Sequence, residues 1–331
     1  MTFRWKDQKK PMLCLAPMEG YTDSAYRQLI KTVAPSTIVY TEFTSSDGLK
    51  YGSKNSFKKI EFKEGERPLI AQIFGKYPEN FAECAKILED MGVDAIDINM
   101  GCPSGKVVAS CHGSALFRKP ELAQEIVYQT QKATTLDVSV KMRLGFDCYT
   151  EETLLEFAKG LEAAGAKHLA VHGRTTKQQY TGTADFDPIY KVKEALGISV
   201  VGNGDIKSVA DVERKLGILD GVMIGRATYG NPWFMAQVEA YFNGQEYNPP
   251  TTLAEMLPMI LKQCDLSCEF KGEKVGMMEM RKHLANYIHG IPNAAKYRFE
   301  LVRVETKKDA EDALSRIIEE TTNGLLTPVL Q

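Results

Sequence analysis

A short apolar run ending in polar or glycine residues, followed by a helix-patterned stretch, recurs eight times over about 230 residues of this chain. The apolar runs fall at residues 12–16, 37–40, 68–75, 95–98, 138–144, 168–174, 199–205 and 221–226. Between them stand ordinary helix signals. Asp23 caps a helix through Leu29 and Ile30, and Pro78 opens one that Gly92 stops. Pro120 starts another, Thr150 caps one that Gly165 ends, and Ser208 with Asp211 forms an acidic variant of the capping box. Residues 44–67 are polar and rich in Lys, Ser and Gly, a long connection of the kind that carries function or mobility. Strand and helix alternating at this length and rhythm is the signature of a (β/α)8 TIM barrel, an α/β fold; a doubly wound sheet rarely runs to eight such regular units. Beyond residue 243 the strands stop. Pro249-Pro250 breaks the chain, and the periodicity afterwards is helical only, with Met256, Ile260, Leu261 and Cys264 on one face. The expected division is a barrel over 1–243 and a small all-helical domain over 244–331.

Active sites of such barrels lie at the C-terminal mouths of the strands. The fourth run leads to Asn99-Met100-Gly101-Cys102-Pro103, where Pro103 denies Cys102 a helical conformation and leaves its thiol on a rigid corner. Lys106 and the small residues 109–114 follow. Taken alone, Cys102 reads equally well as a reactive thiol or as a small buried hydrophobe. The other mouths add Gln72, Asn99, Lys141, Arg143, His172, Arg174, Asn203, Asp205 and Arg226. Buried strands do not need amides and cations, and each would be costly if left unpaired. A ring of them points to a bound polar ligand. Gly202-Asn203-Gly204-Asp205 and Gly225-Arg226 stand where this fold places a phosphate, with backbone N–H groups and one cation to receive it. Lys141 would then face an electron-rich ring and stabilise its reduced anion, which suits flavin mononucleotide (FMN).

These residues resemble the tRNA-dihydrouridine synthases, in particular the bacterial B-type branch. The likeness lies in Leu15-Ala16-Pro17-Met18-Glu19-Gly20, Asn99-Met100-Gly101-Cys102-Pro103, Val140-Lys141-Met142-Arg143, Val171-His172-Gly173-Arg174-Thr175 and Gly202-Asn203-Gly204-Asp205. Ile224-Gly225-Arg226-Ala227, Arg281-Lys282-His283-Leu284 and Gly290-Ile291-Pro292 are similar too, so the resemblance covers nearly the whole chain. It implies an FMN-dependent, NADPH-driven reduction of the C5–C6 double bond of uridine in tRNA. Flavin N5 would give hydride to C6, and Cys102 would protonate C5. Ala16, Pro17, Met18, Gln72, Lys141 and His172 match positions around the flavin ring, and Asn203, Gly204, Asp205, Gly225 and Arg226 match its phosphate and ribityl contacts. Asn99 matches the base contact, with Lys106, Arg143 and Arg174 assigned to the substrate as well. Tyr21 and Cys111-His112 depart from the family pattern.

The net charge of −2 announces no nucleic-acid partner globally, so RNA binding needs a local patch. Lys282, Lys296 and Arg298 lie in a basic region of the helical domain, which the family uses to hold tRNA, and a basic surface joining that domain to the barrel mouth is expected. Seven scattered cysteines, no leading apolar h-region and no apolar run long enough for a bilayer suggest a cytoplasmic protein with reduced thiols and no membrane association. Cys102, Cys111 and His112 lack a paired C-x-x-C, and a thiol that donates a proton cannot also be a metal-bound thiolate, so no metal is expected. No obligate protein partner is implied. Two other activities remain open: reduction of uridine in rRNA, or a flavin-dependent dehydrogenase of free pyrimidines, of the dihydroorotate or dihydropyrimidine type.

Overall fold

In the computed structural model, which describes residues 2–104 and 112–322, parallel strands close into a barrel. The barrel strands are β1 (Met12–Leu15), β2 (Ile38–Tyr40), β4 (Leu69–Phe74), β5 (Ala95–Met100), β6 (Asp137–Arg143), β7 (His168–His172), β8 (Ser199–Asn203) and β9 (Gly221–Ile224). Closure comes from β2 pairing with both β1 and β4, while β9 pairs with β1. A two-residue strand, β3 (Thr44–Ser45), adds to β4. The barrel expected from the sequence is therefore the barrel found.

Alternate residues point inward, as the pleat requires. Met12, Cys14, Ile38, Tyr40, Ile70, Ala95, Ala170, Val201 and Met223 form one buried cluster. Trp5 joins it. Its ring stacks on His168 with centroids 3.8 Å apart and an interplanar angle of 9°, and its backbone N–H donates to Asp137 Oδ2 at 2.9 Å. His168 lies at the N-terminal end of β7, so Trp5 plugs the barrel at the end opposite the strand mouths. The sequence shows Trp5 only as one aromatic in a polar, basic segment, with no periodicity to mark it as core.

By compactness the chain divides into two units. The first comprises residues 2–22 and 37–225 and holds every barrel strand. Its helices are α2 (Ser46–Lys50), α3 (Lys54–Ile60), α4 (Pro78–Asp90), α5 (Pro120–Lys132), α6 (Glu151–Ala163), α7 (Asp187–Ala195) and α8 (Val209–Leu216). The stretch 44–67, a long connection by its sequence, thus contains β3 and two short helices, with Ser45 capping α2. Thr150 and Ser208 cap their helices as the sequence indicates.

The second unit comprises residues 23–36 and those from 226 onward. It contains α1 (Ser24–Val33), α9 (Trp233–Phe242), α10 (Leu253–Lys271), α11 (Glu273–Tyr287), α12 (Ala294–Leu301) and α13 (Lys307–Thr322). This division differs from the sequence boundary near residue 243, because α1 and α9 cluster with the later helices. Helical periodicity shows that a helix has an apolar face, not which neighbour covers it. Asp23 caps α1 by accepting from the Tyr26 N–H and also pairs with Lys271 of α10. The apolar centre of the unit includes Trp233, Met256, Ile260, Met277, Leu284 and Leu314. No helix among the described residues is long and apolar enough to cross a membrane.

Candidate active site at the strand mouths

The chain leaves β5 through a corner held from several sides. Asn99, the penultimate residue of the strand, turns its Oδ1 back to accept the N–H groups of Gly101 at 3.1 Å and Cys102 at 2.9 Å. This is the local side-chain-to-backbone bond that Asn favours over continuing a strand. The Cys102 carbonyl accepts the Ser114 hydroxyl at 2.8 Å, and the Gly101 carbonyl accepts Arg143 Nε at 2.8 Å. The thiol is half-buried, and burial pushes it above its ordinary value, so it is a thiol rather than a thiolate at neutral pH. Lys106 and Cys111 lie outside the described residues.

Behind Asn99 runs a chain of buried polar groups. Asn99 Nδ2 donates to Gln72 Oε1 at 2.8 Å, and Gln72 Nε2 donates to Asp97 Oδ2 at 2.7 Å. Asp97 Oδ1 accepts the Ser139 hydroxyl at 2.6 Å. Asp97 is fully buried, and burial raises its carboxyl to about 6. Asn99 and Gln72 are thus brought together as the sequence suggests. Sequence reasoning missed Asp97 and Ser139, although the two-residue period of β5 puts Asp97 on the same face as Asn99.

Lys141 pairs in register with Asn99 on the adjoining strand. Its ammonium donates to Asn203 Oδ1 at 3.2 Å, and Asn203 Nδ2 donates to the Met223 carbonyl at 2.7 Å, so one amide links β6, β8 and β9. Burial, followed by the nearby charge of Arg143, pushes Lys141 down to about 8.

The two arginines are embedded in the protein. Arg143, 2% exposed, donates to the carbonyls of Gly101, Thr175 and Gln179. Arg174, also 2% exposed, pairs with Asp205 at 3.1 and 2.5 Å and donates to the carbonyls of Thr181 and Gly182. Asp205 further accepts the Ala184 N–H at 2.9 Å. These groups brace the loops after β5, β7 and β8, and their described contacts are to the chain itself. Arg174 Nη1 lies 3.4 Å from His172 Nε2; a guanidinium can only donate, so the imidazole proton belongs on Nδ1.

At two glycines the backbone packs closely against its neighbours at the mouth. Gly204 has φ near +120°, and a Cβ there would stand 2.8 Å from the His172 ring and 2.7 Å from Ala184. A Cβ on Gly225 would stand 3.4 Å from both Ala16 and Met18 Sδ, and Pro17 lies between those two in the loop after β1. Arg226 is exposed and begins the second unit. In that unit Lys296 and Arg298 are exposed and Lys282 is half-buried. No cluster of metal-binding side chains occurs among the described residues.

Residues 14–322 match a family model described as dihydrouridine synthase (Dus). A probable tRNA-dihydrouridine synthase of Rickettsia conorii is 38% identical over 289 residues, covering 86% of this chain and 87% of that protein. The tRNA-dihydrouridine synthase B of Xanthomonas axonopodis pv. citri is 38% identical over 309 residues, 92% of each chain. Among solved structures, histamine dehydrogenase from Rhizobium sp. 4-9 superposes with a TM-score of 0.55 at 13% identity, covering 94% of this chain and 63% of its own. Morphinone reductase gives 0.53 at 11% identity, covering 76% and 91%. At such identities the structures share the fold alone.

Proposed function

The chain belongs to the dihydrouridine synthase family of oxidoreductases, and from that membership we propose that it reduces the C5–C6 double bond of uridine in tRNA, with FMN as bound cofactor and NADPH as reductant. Bound at this mouth, a flavin would supply the hydride that uracil C6 receives. The observation that carries the reading is that Cys102, its backbone N–H held by Asn99, stands at the mouth of β5 while Lys141, in register with Asn99 on β6, donates to the neutral amide of Asn203 in its described hydrogen bond.

The residues present fit a flavin. Lys141 offers positive charge where the reduced ring is anionic, and the missing side chains at Gly204 and Gly225 let the backbone lie close against His172, Ala16 and Met18, with its N–H groups free of a Cβ. Gln72 and Asn99 hold their amide groups in fixed orientations, because each is hydrogen-bonded to the next. In this reading Gln72, Lys141 and His172 hold the ring, with Ala16, Pro17 and Met18 against it, and Asn203, Gly204 and Gly225 receive the ribityl phosphate. Asp205 acts through Arg174 rather than on the phosphate, since a carboxylate there would repel it. The assignment of Arg226 rests on its motif. Asn99 orients the base, while Arg143 and Arg174 fix the loops the substrate meets. Lys282, Lys296 and Arg298 hold RNA by its phosphates.

Cys102 gives its proton to C5, so the base gains a hydride and a proton across one bond. Burial disfavours the thiolate, which keeps the donor form present across neutral pH. A uridine stacked in folded RNA must be turned out to reach this mouth. Replacing Cys102 by Ala should leave flavin content unchanged and slow tRNA-dependent flavin reoxidation by roughly 10²–10⁴, the usual worth of a general acid. A Cys102→Ala protein that reoxidises at the wild-type rate would remove Cys102 from the mechanism.

A further inference from the structure

We infer that Asp97, whose described side-chain hydrogen bonds come from Gln72 and Ser139, is a positioning residue that fixes the direction in which the Gln72 and Asn99 amides point. The inference rests on the function proposed above. A carboxylate can only accept, and both of its hydrogen bonds come from donors: the Ser139 hydroxyl at 2.6 Å and Gln72 Nε2 at 2.7 Å. Gln72 must therefore present its NH2 to Asp97, which leaves its oxygen for Asn99 Nδ2 at 2.8 Å. Asn99 in turn presents its oxygen to the N–H groups of Gly101 and Cys102. An amide turned end for end keeps its shape, so packing alone does not choose between the two settings. Turning either amide here would set donor against donor or acceptor against acceptor at two places. The acceptor-only group at one end and the donor-only N–H groups at the other agree on a single direction.

Asp97 sits on β5 between Gln72 of β4 and Ser139 of β6, its register partners on either side, and is 0% exposed. A buried carboxylate is an expensive way to fill a barrel layer unless its acceptor character is used. Cys14, an inward residue of the same barrel, shows that a small apolar side chain is tolerated in the interior.

The test compares Asp97→Ala with Asp97→Asn. Alanine leaves the Gln72 amide without its acceptor and able to turn. Asparagine can keep the arrangement: its oxygen accepts from Gln72, its NH2 donates to Ser139 Oγ, and the Ser139 hydroxyl turns to the Ile96 carbonyl 3.3 Å away. FMN affinity of the stripped protein, read by quenching of flavin fluorescence, and the rate of anaerobic tRNA-dependent reoxidation are measured for each. Asp97→Ala should weaken FMN binding and slow reoxidation each by about tenfold, the worth of roughly one well-made buried hydrogen bond, and Asp97→Asn should restore both to within about threefold. If Asp97→Ala matches wild type, or if Asp97→Asn is no better than Asp97→Ala, the inference fails. Should Asp97→Ala not fold, Gln72→Glu decides. Two carboxyl groups then face one another and share a proton, so reoxidation should fall as pH rises through a titration added to those that Asp97 and Lys141 already have in wild type; a pH profile identical to wild type would overturn the inference. A wild-type protein that binds no FMN or leaves tRNA unreduced would fail the functional reading itself, whereas a competent wild type with indifferent variants fails only this inference.

Discussion

Lys141 is the side chain on which the electrostatics of the site turn. Its amine is pushed down to about 8, first by burial and then by Arg143, and its hydrogen bond goes to a neutral amide. The folded value lies below the ordinary lysine range, so in the free protein the charge is present below about pH 8 and is lost as pH rises through it. An anionic ligand beside it favours the charged form and raises that value again. Affinity for reduced flavin should therefore fall between about pH 8 and 10, with proton uptake on binding inside that window. Replacing Lys141 by Met should lower the midpoint potential of bound flavin by about 30 mV or more, equivalent to about 1.4 kcal/mol of stabilisation withdrawn from the reduced anion. A potential unchanged by Lys141→Met would show that the cation does not face the ring. The sequence displays Lys141 and Asn99 plainly, because polar residues in apolar runs stand out. It does not display the braced state of Arg143 and Arg174, since an arginine that binds a substrate and one that binds backbone carbonyls are the same letter.

At the level of elements, helix starts and strand mouths are legible, because capping and turn chemistry are local. Asp23, Thr150 and Ser208 cap the helices their patterns announce. Elements defined by distant partners are not. The plug at Trp5 depends on His168 and Asp137, more than a hundred residues away, and nothing near Trp5 in sequence encodes that meeting. Residues 44–67 read as loop because α2 and α3 are too short for a periodic face to show. The plug carries its own prediction. Trp5→Ala should remove a fully buried indole and cost about 3–5 kcal/mol, lowering the melting temperature by roughly 10 °C. A variant that melts within about a degree of wild type would mean that the N-terminal segment does not close the barrel.

For the molecule as a whole, the barrel follows from rhythm and length, whereas the division between units does not, because α1 lies early in the chain yet clusters with the helices beyond residue 225. The net charge of −2 leaves RNA binding to local surfaces. Changing Lys282, Lys296 and Arg298 together to Ala should weaken tRNA binding and reduce its salt dependence by about two to three units of log–log slope, one for each phosphate that these cations neutralise. Unchanged affinity and slope would place the RNA elsewhere. The central claim, flavin-mediated reduction of uridine in tRNA, is tested most directly by the visible spectrum of the purified protein under anaerobic conditions. The account predicts a flavin spectrum that bleaches on addition of NADPH and returns only when unmodified tRNA is added. A flavin that is restored by free pyrimidines and ignores tRNA, or a protein that takes up no flavin after reconstitution, would contradict it.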